Sequence, residues 1–193
     1  GKQATPTLKE CLRSKQPQIR QHAIRALGGM TGESEIVVPI LADCFHNEAN
    51  ADVRTAIADA LSAFGNRAKS AVPVLTETLA DPSDSVRDRT ACALRKIGLD
   101  ADVDLAPLAA IAHSREQKED VRIQVLSAIA TAGERALPEL VRALKSDLPS
   151  LRQNAARDIA ALGVKAESAL PVLLEFAKSE TPGLRAVALY AIG

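Results

Sequence analysis

The side chains best suited to chemistry in this sequence are three histidines, three cysteines and a series of evenly spaced arginines. His22, His46 and His113 could serve a metal or a proton transfer, but they fall within one helical stretch, at the end of another and in a loop. None has an acidic or cysteine partner at metal-ligand spacing, so they read as surface histidines. The serines, histidines and acids show no spacing that singles out a catalytic triad, and no glycine-rich phosphate loop occurs. No catalytic residue, metal ligand or cofactor-binding residue is therefore expected. The arginines differ. Arg20, Arg54, Arg87, Arg122, Arg152 and Arg185 each follow an aliphatic residue near the start of a helical stretch, the end at which the helix dipole disfavours a cation. Recurrence there points to a structural role, in which their planar forks are expected to donate to carboxylates or carbonyls at the breaks between helices, Asp81 among them.

The elements that must position these arginines are clearest in residues 71–98. Pro73 suits the opening turn of a first helix, where a missing N–H costs nothing, and Val74, Leu75, Thr78 and Leu79 supply its apolar stripe. Asp81-Pro82-Ser83-Asp84 ends that helix, because proline disfavours helical geometry in the residue before it. Ser85 is the expected cap of a second helix from Val86 to Ile97, with Gly98 closing it in left-handed backbone. Val86, Thr90, Ala91, Ala93, Leu94 and Ile97 share one side of it, and Asp88, Arg89, Cys92, Arg95 and Lys96 the other. The stretch predicts a helical hairpin with one apolar side per helix.

The same marks recur in fixed order along the chain. The first-helix proline returns as Pro6, Pro39, Pro73, Pro107, Pro138 and Pro171, every 31 to 34 residues, and the arginine follows 14 or 15 residues later. Ahead of each arginine stands Ile19, Val53, Val86, Val121, Leu151 or Leu184; seven residues after it comes Leu27, Leu61, Leu94, Ile129, Ile159 or Ile192. Gly65, Gly98, Gly133 and Gly163 close the middle units. The units run approximately over residues 2–32, 33–67, 68–99, 100–135, 136–166 and 167–193, the last cut short, so the whole chain is expected to form one array and to belong to a longer protein. Within it, Gln18 replaces the usual cap of the first unit and Gly28-Gly29 predict fraying or a bend; Asp52 and Asp120 are the expected caps in units two and four. Asp158 replaces alanine beside the core and requires a partner. Leu184, Val187, Ala188 and Ile192 are expected to lack cover in the cut unit.

Periods near 33 residues occur in several repeat classes. Tetratricopeptide repeats want aromatics that a chain with only Phe45, Phe64, Phe176 and Tyr190 lacks, and the ankyrin-type turn is echoed once, at Thr5-Pro6-Thr7-Leu8. Through Pro-x-Leu, the Asp-Pro break and Val-Arg-x-x-Ala-x-x-Ala-Leu, the units resemble HEAT repeats, in the short form found in proteins of the phycobilisome-lyase type. The resemblance spans the whole chain and implies an all-α fold, a right-handed α-α superhelix of about six stacked hairpins. Some HEAT-type enzymes, the deoxyhypusine hydroxylases, hold iron with His-Glu pairs directly after the second-helix arginine. Gln21-His22, Thr55-Ala56, Asp88-Arg89, Ile123-Gln124, Gln153-Asn154 and Ala186-Val187 stand there in this chain, which argues against that activity.

The 24 basic and 24 acidic residues cancel, so no global field draws the protein to nucleic acid or an anionic membrane. With one tyrosine and no tryptophan, a base-stacking surface is not expected either. No apolar run reaches the roughly 18 residues of a membrane span. Cys11 and Cys44 recur at one template position, but stacked helices lie about 8–10 Å apart, beyond the roughly 7 Å a disulfide tolerates between Cα atoms. Free thiols and a cytoplasmic location are expected.

What remains is a non-catalytic protein-interaction scaffold. If the second helices line the concave side, the positions after each arginine face a partner. Arg25, Asp59, Arg89, Arg95, Lys96, Arg157 and Tyr190 then form the expected partner-binding groove, mildly basic and suited to an acidic or mixed peptide. The alternatives are a subunit or lyase-like factor acting on a tetrapyrrole-carrying protein, implied by the resemblance alone, and a nucleic-acid binder.

Overall fold

The computed structural model describes residues 4–178 and 182–192. Among them are twelve α-helices and no strand. The packing resolves into two compact bodies, Gly1–Gly98 and Leu99–Gly193.

The first body contains α1 (Ala4–Cys11), α2 (Pro17–Gly28), α3 (Ser34–Asn47), α4 (Ala51–Ala63), α5 (Val72–Thr78) and α6 (Asp84–Ile97). They pair as the hairpins α1–α2, α3–α4 and α5–α6, and the second helices α2, α4 and α6 lie side by side as a layer. The second body repeats the plan with α7 (Ala106–His113), α8 (Glu119–Ala130), α9 (Leu137–Leu144), α10 (Pro149–Leu162), α11 (Leu170–Ala177) and α12 (Pro182–Ile192). Its layer is α8, α10 and α12. Short 3-10 segments lead into several first helices, among them Gly65–Ala71 and Gly163–Ala169. Gly65, Gly98, Gly133 and Gly163 all have positive φ, backbone that a Cβ would strain, so glycine lets the chain reverse out of α4, α6, α8 and α10.

The core comes from the repeating aliphatic positions. Val53, Val86 and Leu151 ahead of the arginines, and Leu27, Leu61, Leu94, Ile129 and Ile159 after them, are fully buried. In α6 the buried set is Val86, Thr90, Ala91, Ala93, Leu94 and Ile97, the side that helical spacing assigns. Three positions depart from the pattern: Ile19 and Ile192 are 39% and 38% exposed and Leu184 is half-buried, because α2 and α12 each have a second-helix neighbour on one side only among the described residues. Val187 and Ala188, expected to be uncovered, are buried, since α12 packs on both α10 and α11.

The helix starts correct the expected caps. Second helices begin one residue after Gln16, Asn50, Ser83, Lys118 and Leu148, so Ser85, Asp52, Asp120 and Gln18 lie inside them. Each true cap stands four residues before a ladder arginine, and its carbonyl accepts the arginine N–H at 3.0–3.3 Å. Asn50 alone of these five also caps with its side chain, accepting from the N–H groups of Asp52 and Val53; the Ser83 hydroxyl is turned to Ser85 instead. Pro39 lies inside α3 rather than in its opening turn. The fraying or bend expected at Gly28-Gly29 falls where α2 ends, with Gly28 its last residue and Gly29 its C-cap, and a Cβ on Gly28 would meet the Cβ of Ala60 at 2.9 Å. Glycine at this point lets α2 and α4 approach closely, which outweighs its cost in helix propensity.

Candidate partner-binding face

Four of the six arginines, Arg20, Arg54, Arg87 and Arg152, follow one geometric rule at the hinge of their hairpins. The carbonyl of the residue six positions earlier accepts from Nη1 at 2.8 Å in Arg20 (from Ser14), 3.1 Å in Arg54 (Glu48), 2.6 Å in Arg87 (Asp81) and 2.7 Å in Arg152 (Ser146). The next carbonyl, of Lys15, Ala49, Pro82 or Asp147, accepts from the same nitrogen. Each of these four guanidinium groups thus binds the break of its own hairpin, which lacks helical partners for those carbonyls.

In the first body the fork also reaches the next hairpin. Arg20 donates from Nε and Nη2 to both oxygens of Glu48, each at 2.7 Å. Arg54 does the same to Asp81, at 2.7 and 2.9 Å. The carboxylates in turn accept N–H bonds within their own break, Glu48 from Asn50 and Asp81 from Ser83, both at 2.8 Å. Burial pushes both carboxyl groups up, but the hydrogen bonds from the arginines and the backbone reverse this and hold them below the ordinary carboxylate range. Arg87 bonds Asp84 of its own helix. In the second body Arg122 is buried and donates Nε to the Ala112 carbonyl at 3.1 Å, and Arg152 lies with Nη2 against Gly183. Arg185 follows Pro182 at the head of α12, and the break before it, residues 179–181, lies outside the described residues. Glu48 escaped the sequence reading although its signal was there: an acid six residues before the next arginine.

His113 is not the surface residue it was expected to be. It ends α7, its side chain is 9% exposed, and Nε2 stands 2.9 Å from Oε2 of Glu139, without good hydrogen-bond alignment. Burial, with Arg142 and Arg122 nearby, lowers its pKa against the opposing pull of Glu139. His22 donates from Nδ1 to the Gln18 carbonyl on an exposed helix face, and His46 lies 3.9 Å from Glu77. The three cysteines are free thiols, and burial pushes the Cys44 thiol up, away from reactivity. A cavity of about 590 Å³ beside Cys44 is lined by Lys9, Arg13, Asp43 and the Arg20–Glu48 pair, charges of both signs that already satisfy one another in part.

The residues expected to face a partner lie on the outer side of the second-helix layers. In the first body Arg25, Asp59, Arg89, Arg95 and Lys96 are exposed, and Arg89 stands 3.9 Å from Asp59. In the second body Arg157 and Tyr190 are brought together: with Gln153, Ala156, Ala186 and Val187 they line a recess of about 320 Å³ between α10 and α12. Asp158 has its partners, accepting from Ser127 at 3.0 Å and from Asn154 at 2.8 Å. Among the described residues no cluster of three metal-ligating side chains occurs and no helix is long and apolar enough to cross a membrane.

The sequence profile of HEAT repeats matches residues 1–62, 38–118 and 105–193. The chain belongs to the HEAT-repeat family. These HEAT units are similar in structure to the CpcE–CpcF complex of a Nostoc phycocyanin lyase, with 25% identity over 94% of this chain and 73% of the other, at a TM-score of 0.61. They are also similar to a HEAT-like repeat protein of the archaeon Thermococcus onnurineus, at 16% identity, 99% and 86% coverage and a TM-score of 0.61. A designed armadillo repeat protein matches at 18% identity, 97% and 98% coverage and a TM-score of 0.60. Curated protein sequences give no match.

Proposed function

We propose that this HEAT-repeat chain is a non-catalytic scaffold that binds a partner protein or peptide on its second-helix faces. The observation that carries the reading is the layer of second helices in each body. Their inner sides are consumed by packing, while their outer sides expose Arg25, Asp59, Arg89, Arg95 and Lys96 in one body and Arg157 and Tyr190 in the other. Side chains that lie outside the core, set on a periodic support, form a surface that a partner can read. The test is a pull-down with wild-type protein and with the double variant Arg89→Glu, Lys96→Glu. The variant should lose the captured partner by slower association while melting at the wild-type temperature, and reversal of Lys9 and Arg13 should leave capture intact. Equal capture by both proteins would refute the reading.

A second reading, a lyase-like subunit acting on a tetrapyrrole-carrying protein, is favoured by the 25% identity to the phycocyanin lyase complex. It predicts a change in the absorption spectrum of a bilin on titration with the protein, and an unchanged spectrum removes it.

A further inference from the structure

We infer that the recess between α10 and α12 is a subsite for the side-chain carboxylate of an acidic peptide, glutamate above all. The inference rests on the scaffold reading and specifies the chemistry of one of its contacts. Gln153, Ala156 and Arg157 lie at i, i+3 and i+4 on α10, and Ala186, Val187 and Tyr190 at i, i+1 and i+4 on α12, so each set occupies one strip of its helix. The two strips are related by the repeat: Gln153 and Ala186 each come one residue after a ladder arginine, Arg157 and Tyr190 five residues after.

The floor is apolar, formed by buried Ala156 and Val187, and Tyr190 at the rim is 60% exposed. Arg157 and Gln153 are exposed beside it, and neither has a hydrogen bond or ion pair among the described residues. The lining contains a guanidinium fork, an amide N–H₂ and a phenol O–H as donors, and no acid. A carboxylate is acceptor-only and meets such donors with its full complement of lone pairs. The methylenes of glutamate reach the apolar floor, whereas a phosphate dianion would find one cation only. At about 320 Å³ the space is at the lower end of ligand sites and suits a single side chain with its flanking peptide units.

The corresponding positions of the first body are chemically different. The residues five after the arginines are Arg25, Asp59 and Cys92, those one after are Gln21, Thr55 and Asp88, and Asp59 already stands against Arg89. Acids at these places repel a carboxylate ligand, so the subsite belongs to α10 and α12.

The experiment is amide shift mapping by NMR on the full chain, titrated with an acetylated and amidated peptide of repeated Ala-Glu-Ala-Gly to roughly 10 mM, the range expected for contacts of this size. Saturable shifts should centre on Gln153, Arg157, Ala186 and Tyr190. The matching Ala-Gln-Ala-Gly peptide should leave them unmoved, and Arg157→Gln should weaken binding by about five- to tenfold. Absent shifts, equal shifts with the glutamine peptide, shifts centred elsewhere, or the same response to acetate or inorganic phosphate would each overturn the inference. The wild-type peptide pair decides even where a variant misfolds. The scaffold reading fails separately, when partner capture survives the reversal of Arg89 and Lys96.

Discussion

The two bodies share one hairpin plan but fasten it differently. Between Gly1 and Gly98, Arg20 and Arg54 hold two carbonyls of their own break and, bidentately, the carboxylate of the next. Between Leu99 and Gly193, the carboxylate half of the arrangement has no counterpart at Arg122, because the residue six positions before Arg152 is Ser146 where Glu48 and Asp81 stand before Arg54 and Arg87. Arg122 turns inward to a carbonyl instead. Ser146 still closes the same local turn, accepting the Leu148 N–H at 3.2 Å as Asp81 accepts that of Ser83 at 2.8 Å. The break is thus built by any short acceptor, and only an acid extends its hold to the preceding hairpin.

The largest expected effect follows from the clamps. The side chains of Arg54 and Asp81 are 13% and 8% exposed, so Arg54→Met leaves a largely desolvated carboxylate unpaired and should cost about 2–4 kcal/mol in urea unfolding. Arg152→Met removes carbonyl contacts at the edge of solvent and should cost about 1 kcal/mol. Equal losses would abolish the distinction between the bodies.

Of intermediate size is the transplant. Ser146→Asp keeps the local turn and offers Arg122 the carboxylate that Glu48 offers Arg20. It should raise the melting temperature by an amount equivalent to about 1 kcal/mol. A lowered melting temperature would show that the buried setting of Arg122 excludes the clamp.

The smallest effect is in pH dependence, where the bodies should separate. His113 has a lowered pKa in the folded chain, so the folded state favours the neutral ring. Its contribution is complete above the free value of about 6.5 and is lost as pH falls below it. The carboxyl groups of Glu48 and Asp81 are also lowered, but their contribution is complete above the free carboxyl values of about 4 and lost only as pH falls below these. Amide hydrogen exchange should therefore show the second body loosening first on acidification, and His113→Gln should delay it. Loosening of both bodies together in wild type would contradict the assignment.

The hairpins, their order and their buried stripes were legible in the chain because helical periodicity, proline placement and closing glycines are local signals, repeated often enough to set a register. The ends of helices were less so. Ser85, Asp52 and Asp120 have good capping side chains, yet the second helices start earlier, at a fixed distance from the arginine whose fork ties down the break. The face expected to meet a partner followed from the same periodicity, since residues excluded from the buried stripe must point away from it.

Which residues of neighbouring hairpins meet was decided by tertiary structure alone, because such distances depend on how closely helices approach. That approach let Glu48 reach Arg20 across 28 residues, buried His113 against Glu139, made Gly28, the last residue of α2, the contact point with Ala60, and joined Arg157 and Tyr190 around one recess. Sequence spacing alone determined which side of each helix these residues occupy, as the 3.6-residue turn requires; the separation between helices, set by the volumes packed between them, determined what each side chain touches.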